Sequence, residues 1–251
     1  MFRFGKSRFG AIIRLRPYLL WGVGLRILVT NDDGWDAEGL AVLKSVAARL
    51  GEVVVLAPRD PHSYAGHRVT EDSALHLAET APGEFSLSGT PADCVRVGLT
   101  AVFEGIDWVL AGVNRGGNLG SDLFTSGTVA AAREAAFLGK PAIAISQYIQ
   151  KGRPLDWKRS QELALPVLQQ LLARPIAPSK EYWNVNLPHT SNGDSAAIVF
   201  CDPDNQPLDV RFDREGDRLR FAGSYQARPR TPGRDIDLCF QGAITVSRLE
   251  L

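Results

Sequence analysis

Apolar residues group along this chain in two alternating rhythms. The runs Leu25–Thr30 (LRILVT) and Glu52–Ala57 (EVVVLA) are short, β-branched and bounded by turn residues, so both are predicted as buried strands. Between them Leu40, Leu43, Val46, Ala47 and Leu50 recur at the spacing that lines one face of a helix, with Gly51 as the stop. The alternation continues: a helix over 93–103, a strand over 107–112, an Ala-rich helix over 128–138 ended by Gly139, and a strand over 141–146. Residues 157–173 are amphipathic through Leu163, Val167, Leu168, Leu171 and Leu172, and Pro166 should kink that helix or mark a boundary. Residues 182–187 (YWNVNL) predict one more strand. Strands alternating with helices imply an α/β fold with a mostly parallel sheet covered on both faces.

The rhythm breaks after Pro188. Residues 190–235 are rich in Asp, Arg, Gly and Pro and are expected as loops and hairpins attached to the same core, before a last strand over 243–249 (AITVSRL). No repeat or low-complexity linker interrupts the chain. The expected organisation is one domain over 25–251 behind an N-terminal extension, 1–24, whose first 22 residues should add little to the core.

Composition narrows the function classes. The 251 residues carry 28 Lys plus Arg against 28 Asp plus Glu, so net charge gives no signal for a nucleic acid duplex or an anionic membrane. Any anionic ligand must be recognised locally. No stretch reaches the roughly 20 apolar residues of a membrane helix. The basic N-terminus (Arg3, Lys6, Arg8, Arg14, Arg16) is interrupted by Arg14, Arg16 and Pro17 where a signal peptide would be cleanly apolar. The three scattered cysteines, Cys94, Cys201 and Cys239, suit buried thiols in a reducing, cytoplasmic compartment rather than a disulfide framework. The four histidines include no H-E-x-x-H pattern.

Ligands of open α/β sheets bind at the carboxyl ends of the strands. Three strand-ending loops carry polar clusters there. Thr30-Asn31-Asp32-Asp33-Gly34 places two adjacent carboxylates at a strand end, where they repel and are costly to desolvate; a hard divalent cation resolves that conflict. A solvated Asp-Asp-Gly turn is the bland alternative. Residues 58–70 (PRDPHSYAGHRVT) offer Ser63 and His67, unremarkable on their own. The third loop runs from Gly112 through Asn114, Gly116, Gly117, Asn118, Gly120 and Asp122 into Ser126-Gly127-Thr128. Its glycines would let backbone N–H groups approach an anion, and the helix beginning there adds unpaired donors and a positive dipole end. It lacks the closing Gly-Lys-Ser/Thr of a P-loop, and its glycine spacing is not that of a dinucleotide fingerprint. A structural turn with a Ser cap is again the bland reading.

Taken together, RILVTNDDGWDAEGL, VVVLAP with SYAGHRVT, GTPADCV and AGVNRGGNLGSDLFTSGTVAAA resemble the SurE family, stationary-phase survival proteins that act as metal-dependent 5′/3′-nucleotidases. WNVNLP and DIDLCFQGAITVS also look like the family's distal segments, so the resemblance spans Leu25 to near Leu251. It implies a Rossmann-like three-layer α/β sandwich with a C-terminal hairpin arm and a homodimeric or homotetrameric assembly. It implies a divalent cation, Mg²⁺ or Mn²⁺, on Asp32, Asp33, Ser63 and Asn114, with Asp32 and Asp33 central to catalysis. Asn118, Ser126, Gly127 and Thr128 would face the phosphate of a nucleoside monophosphate. The chain departs from the family pattern at Arg59 after Pro58 and at Phe124-Thr125 before Ser126. Two other classes compete: a non-catalytic nucleotide-binding or regulatory protein on the same scaffold, and a dinucleotide-dependent oxidoreductase, which the missing fingerprint glycines after the first strand disfavour.

Overall fold

The structure is a computed structural model that describes residues 24–251 apart from Pro175, Pro178, Asn192 and Asp209. The expected extension before the domain therefore lies, except for Gly24, outside the described residues. The elements in chain order are β1 (Arg26–Thr30), α1 (Glu38–Ala47), β2 (Glu52–Pro58), β3 (Leu77–Ala81), β4 (Glu84–Leu87), α2 (Pro91–Val97), β5 (Trp108–Arg115), α3 (Gly127–Phe137), β6 (Ala142–Gln147), α4 (Trp157–Leu172), β7 (Glu181–Leu187), β8 (Ile198–Phe200), β9 (Phe212–Glu215), β10 (Arg218–Phe221), α5 (Asp235–Phe240) and β11 (Ile244–Glu250).

Among the described residues nine strands make one sheet in the order β3-β4-β2-β1-β5-β6-β7-β11-β8. The run from β4 to β7 is parallel throughout; β3 pairs antiparallel to β4 and β11 antiparallel to β7. Alternation along each strand splits the core into two. Ile27, Val29 and Leu110 face Leu40 and Leu43 of α1 and Leu163, Val167 and Leu168 of α4. Leu28, Val109 and Ala111 face Cys94 and Val95 of α2 and Val129, Ala132 and Ala136 of α3. Helix pairs thus cover both faces of a mostly parallel sheet, the three-layer arrangement the alternation predicts.

The differences have local causes. Residues 93–103 are not one helix: α2 ends at Val97 and a wide π turn, Gly98–Val102, follows it. Pro166 neither breaks α4 nor marks a boundary, because α4 runs continuously from Trp157 to Leu172. Its buried stripe of Leu163, Ala164, Val167, Leu168 and Leu171 holds the helix in place across the missing backbone donor. The β3–β4 pair turns at Gly83 and has no counterpart in the predicted elements, since β3 is exposed and carries no core-facing alternation. Helix α5 begins at Asp235, the last residue of the segment expected as loops, and runs on to Phe240 where no helix is predicted. That segment also holds the β9–β10 hairpin, which pairs only with itself and leaves Phe212, Leu219 and Phe221 exposed.

Candidate active site

Three neighbouring strands, β2, β1 and β5, present their carboxyl ends side by side, and each opens into one of the polar loops. Asp32 and Asp33 follow β1. Asp32 is only 6 % exposed, and Asp33 is partly buried. The turn beneath them is fixed by Asn31, whose side-chain amide donates to Gly34 O at 2.8 Å. Buried Asn31 Oδ1 has no hydrogen-bond partner among the described residues, an uncommitted oxygen beside the pair.

The loop after β2 is tied to the first one. His62 N donates to Asp32 O at 2.8 Å, which brings Ser63, the next residue, beside the aspartates with its side chain exposed. Gly66 N then donates to Thr125 O at 3.0 Å, linking this loop to the one after β5. His67 reaches the far part of α3, where its Nε2 lies 2.7 Å from Glu134 Oε2. Glu134 is buried and also accepts from Arg96 Nε. Burial alone would raise the Glu134 carboxyl, but the hydrogen bonds from His67 and Arg96 outweigh it and hold it below the usual range.

The loop after β5 meets Asp33 directly: Arg115 N donates to Asp33 Oδ2 at 3.0 Å. Asn114 belongs to the end of β5, and its Nδ2 donates to Gly116 O at 2.8 Å, leaving Oδ1 as its outward acceptor. Asn118 stands apart from the aspartates. It is buried, its Nδ2 donates to Ser146 Oγ at 2.7 Å, its N donates to Asn186 Oδ1 at 2.8 Å, and its O accepts from Asn184 and Asn186. That amide network is a brace between β6, β7 and the loop.

The glycines in this loop answer mainly to packing rather than to anion approach. A Cβ on Gly112 would strike Ile145 O of β6, and one on Gly117 would lie 3.1 Å from Tyr225 Oη. Gly120 N is already committed to Asp235 Oδ2 at 2.8 Å. Donors free to meet an anion stand at the start of α3. Ser126 caps that helix, its Oγ accepting from Val129 N at 3.0 Å, which leaves its hydroxyl hydrogen and the Gly127 N–H at the helix end, while the Thr128 N–H turns to the Asp32 carboxylate.

Asp32 sits against that end. Thr128 Oγ1 donates to Asp32 Oδ1, and a Cβ added to Gly127 would lie 2.9 Å from both Cβ and Oδ2 of Asp32. Burial pushes the Asp32 carboxyl up to about 6 and the Asp33 charge adds to this, against the opposing bond from Thr128. Thr128 therefore orients a carboxylate with its side chain, a role its place in the sequence pattern did not reveal. The donors around the pair are hard oxygens: two carboxylates, the Ser63 hydroxyl and the Asn114 amide oxygen. No group of three or more His, Cys, Asp or Glu side chains is placed to hold an ion among the described residues, so an ion here rests on that mixed set. Such donors fit Mg²⁺ or Mn²⁺.

A carboxylate pair and a helix N-terminus at the carboxyl edge of an open α/β sheet stand where such sheets place their ligands. The sequence model described as Survival protein SurE matches residues 27–208. The chain belongs to the SurE family. It is 43% identical over 228 residues to a protein of Synechocystis sp. provisionally named a 5′-nucleotidase, covering 90% of this chain and 100% of that protein. It is 37% identical over 233 residues to the 5′-nucleotidase SurE of Paramagnetospirillum magneticum, covering 90% and 89% of the two chains. The crystal structure of the SurE protein from Aquifex aeolicus superposes with a TM-score of 0.79 at 28% identity, covering 90% of this chain and 93% of that one. The α/β class, the mostly parallel sheet and the family resemblance are all borne out.

Proposed function

We propose that the protein is a divalent-metal-dependent 5′-nucleotidase that hydrolyses nucleoside monophosphates to nucleoside and phosphate. Two relatives at 43% and 37% identity carry 5′-nucleotidase names, and the site has the chemistry that activity needs. The single observation that carries the reading is the seating of buried Asp32 against the α3 N-terminus, beside Asp33.

Asp32, Asp33, Ser63 and Asn114 would hold Mg²⁺ or Mn²⁺. When bound, the ion neutralises the carboxylate pair, polarises a phosphoryl oxygen and lowers the pKa of water. Thr128 and Arg115 N fix the rotamers of Asp32 and Asp33, so the donors are arranged before substrate arrives. Gly127 N and the Ser126 hydroxyl would donate to the phosphoryl oxygens, while Thr128 acts through Asp32. Water attacks phosphorus, the bond between phosphorus and the ester oxygen breaks, and the nucleoside leaves with a proton on that oxygen. Ser63 is exposed, which supports a substrate face open to solvent.

Turnover of a panel of nucleoside 5′- and 3′-monophosphates with Mg²⁺, Mn²⁺ and a chelator tests this. Release of phosphate that the chelator abolishes and Mg²⁺ or Mn²⁺ restores is the expected result; nucleotide binding without phosphate release would favour a regulatory role instead. Assembly belongs to the same proposal: the unpartnered β9–β10 hairpin, with Phe212, Leu219 and Phe221 exposed, suits a homodimer or homotetramer, and a monomeric mass by light scattering would refute that. No helix among the described residues is long and apolar enough to cross a membrane, and the described cysteines are free, which fits the expected cytoplasmic setting.

A further inference from the structure

Three residues of the distal segment, Tyr225, Arg228 and Asp235, tie it to the Gly-rich loop like a strap. Tyr225 Oη lies 3.1 Å from Gly117 O and 2.9 Å from Asp122 Oδ2. Arg228 Nη1 donates to Asp122 Oδ2 at 2.8 Å, and its Nη2 donates to Leu119 O at 2.7 Å. The Arg228 guanidinium also stacks on the Tyr225 ring, 4.6 Å from its centroid, and that ring adjoins Tyr148 and Phe240. Asp235 holds Gly120 N from the same side and is itself fixed by Asp204 N at 2.7 Å.

The loop end under the strap leads straight to the phosphate-side helix. Asp122 Oδ2 accepts from Leu119 N at 3.1 Å, while Asp122 O accepts from Thr125 N at 3.1 Å and from Ser126 N at 3.0 Å. The residue whose side chain the strap grips is thus the residue whose backbone sets the Ser126 cap. Arg228 has a side chain only 9% exposed, so its charge is matched chiefly by Asp122.

We infer that Asp122, Tyr225 and Arg228 are positioning residues for phosphate recognition: the strap holds Asp122, and Asp122 holds the start of α3 in register with Asp32. None of the three need touch substrate. The inference rests on the nucleotidase reading for its kinetic consequence, but not for its structural one.

The test compares Arg228→Ala, Arg228→Lys and Tyr225→Phe with the wild type, in full-length protein well below the melting temperature. Measured are kcat, KM for a nucleoside 5′-monophosphate, the inhibition constant of inorganic phosphate, and hydrogen exchange along the backbone. Arg228→Ala is expected to raise KM and the phosphate inhibition constant by about 10-fold or more, the loss typical of charge-assisted hydrogen bonds. Exchange should quicken over 116–128 and stay unchanged in β1 and β6. Arg228→Lys should recover part of the effect by keeping the charge, and Tyr225→Phe should show a smaller change of the same kind. If Arg228→Ala does not fold, Tyr225→Phe, which removes one oxygen atom, decides the matter. Unchanged KM and phosphate inhibition alongside a lowered melting temperature would overturn the inference, as would exchange that rises evenly across the sheet. If the wild type hydrolyses no nucleotide, the nucleotidase reading fails, and local against uniform exchange still settles whether the strap positions α3.

Discussion

Replacing Asp32 with Asn should make the metal-free protein more stable and the enzyme nearly inactive. Asp32 is 6 % exposed and carries a carboxyl raised from 3.8 to about 6. A folded-state pKa above the unfolded value means that this group's contribution to stability is complete below about pH 4 and is lost as pH rises through about 6. About two pKa units correspond to roughly 3 kcal/mol at neutral pH. Asn keeps the shape, and its Oδ1 can still accept from Thr128, so most of that penalty should vanish in the variant. For a chain of this size 1 kcal/mol moves the melting temperature by about 2–4 °C, so the metal-free variant should melt roughly 6–12 °C higher at pH 7.5. The wild type should be stabilised by Mg²⁺ or Mn²⁺, by about 2.7 kcal/mol at a hundredfold excess over Kd, and the variant much less. Turnover should fall by at least about 100-fold, as charge stabilisation of a few kcal/mol is lost. Thermal melts at pH 4.5 and 7.5, with chelator or with metal, and turnover of a nucleoside monophosphate provide the readouts. A variant with full turnover and an undiminished metal response would refute the assignment of Asp32.

Ser126→Ala removes the cap on Val129 N and should cost about 1 kcal/mol of stability, while raising KM and leaving metal affinity near wild type; melts and isothermal metal titration check this. Gly127→Ala should gain up to about 1 kcal/mol in helix propensity, yet lose activity, because its Cβ would press on Asp32 at 2.9 Å; activity retained with normal melting would show that Asp32 tolerates displacement. Glu134 has a depressed carboxyl, so its contribution to stability is present above the unfolded value near 4.5 and is lost as pH falls through the lower folded value. Glu134→Gln should therefore lower stability at pH 7 by about 2 kcal/mol, and flatten the acid limb of the melting-temperature profile.

The parallel core was readable because its strands are uniformly apolar and its helices carry a one-sided stripe, so local pattern and burial agree. The same rule fails for β3, whose residues are nearly all exposed, and for α4, where packing outweighs Pro166. Motif reading pointed to Asp32, Asp33 and the Ser126–Thr128 helix end, and these do lie together. It could not foresee that Asn118 braces the loop through Ser146, Asn184 and Asn186, because those partners lie in other strands. Nor could it find Tyr225 and Arg228, which lie more than 100 residues from Asp122. The one available hint was Asp122 itself, an acid in a glycine-rich loop.

Strand β11 lies between β7 and β8, and β8 has no other neighbour in the sheet. Cys201, where the strap begins, donates its N–H to Val246 O of β11 at 3.0 Å. The strap's foothold on the sheet is therefore β11, the strand that also pairs with β7. Every proposed ligand residue, the parallel run from β4 to β7 and the Arg228 side chain precede β11, so loss of β11 would leave the strap its grip on the loop but no anchor on the sheet. A cut that removes only β11 should therefore loosen the strap and weaken the site from the far side of the sheet.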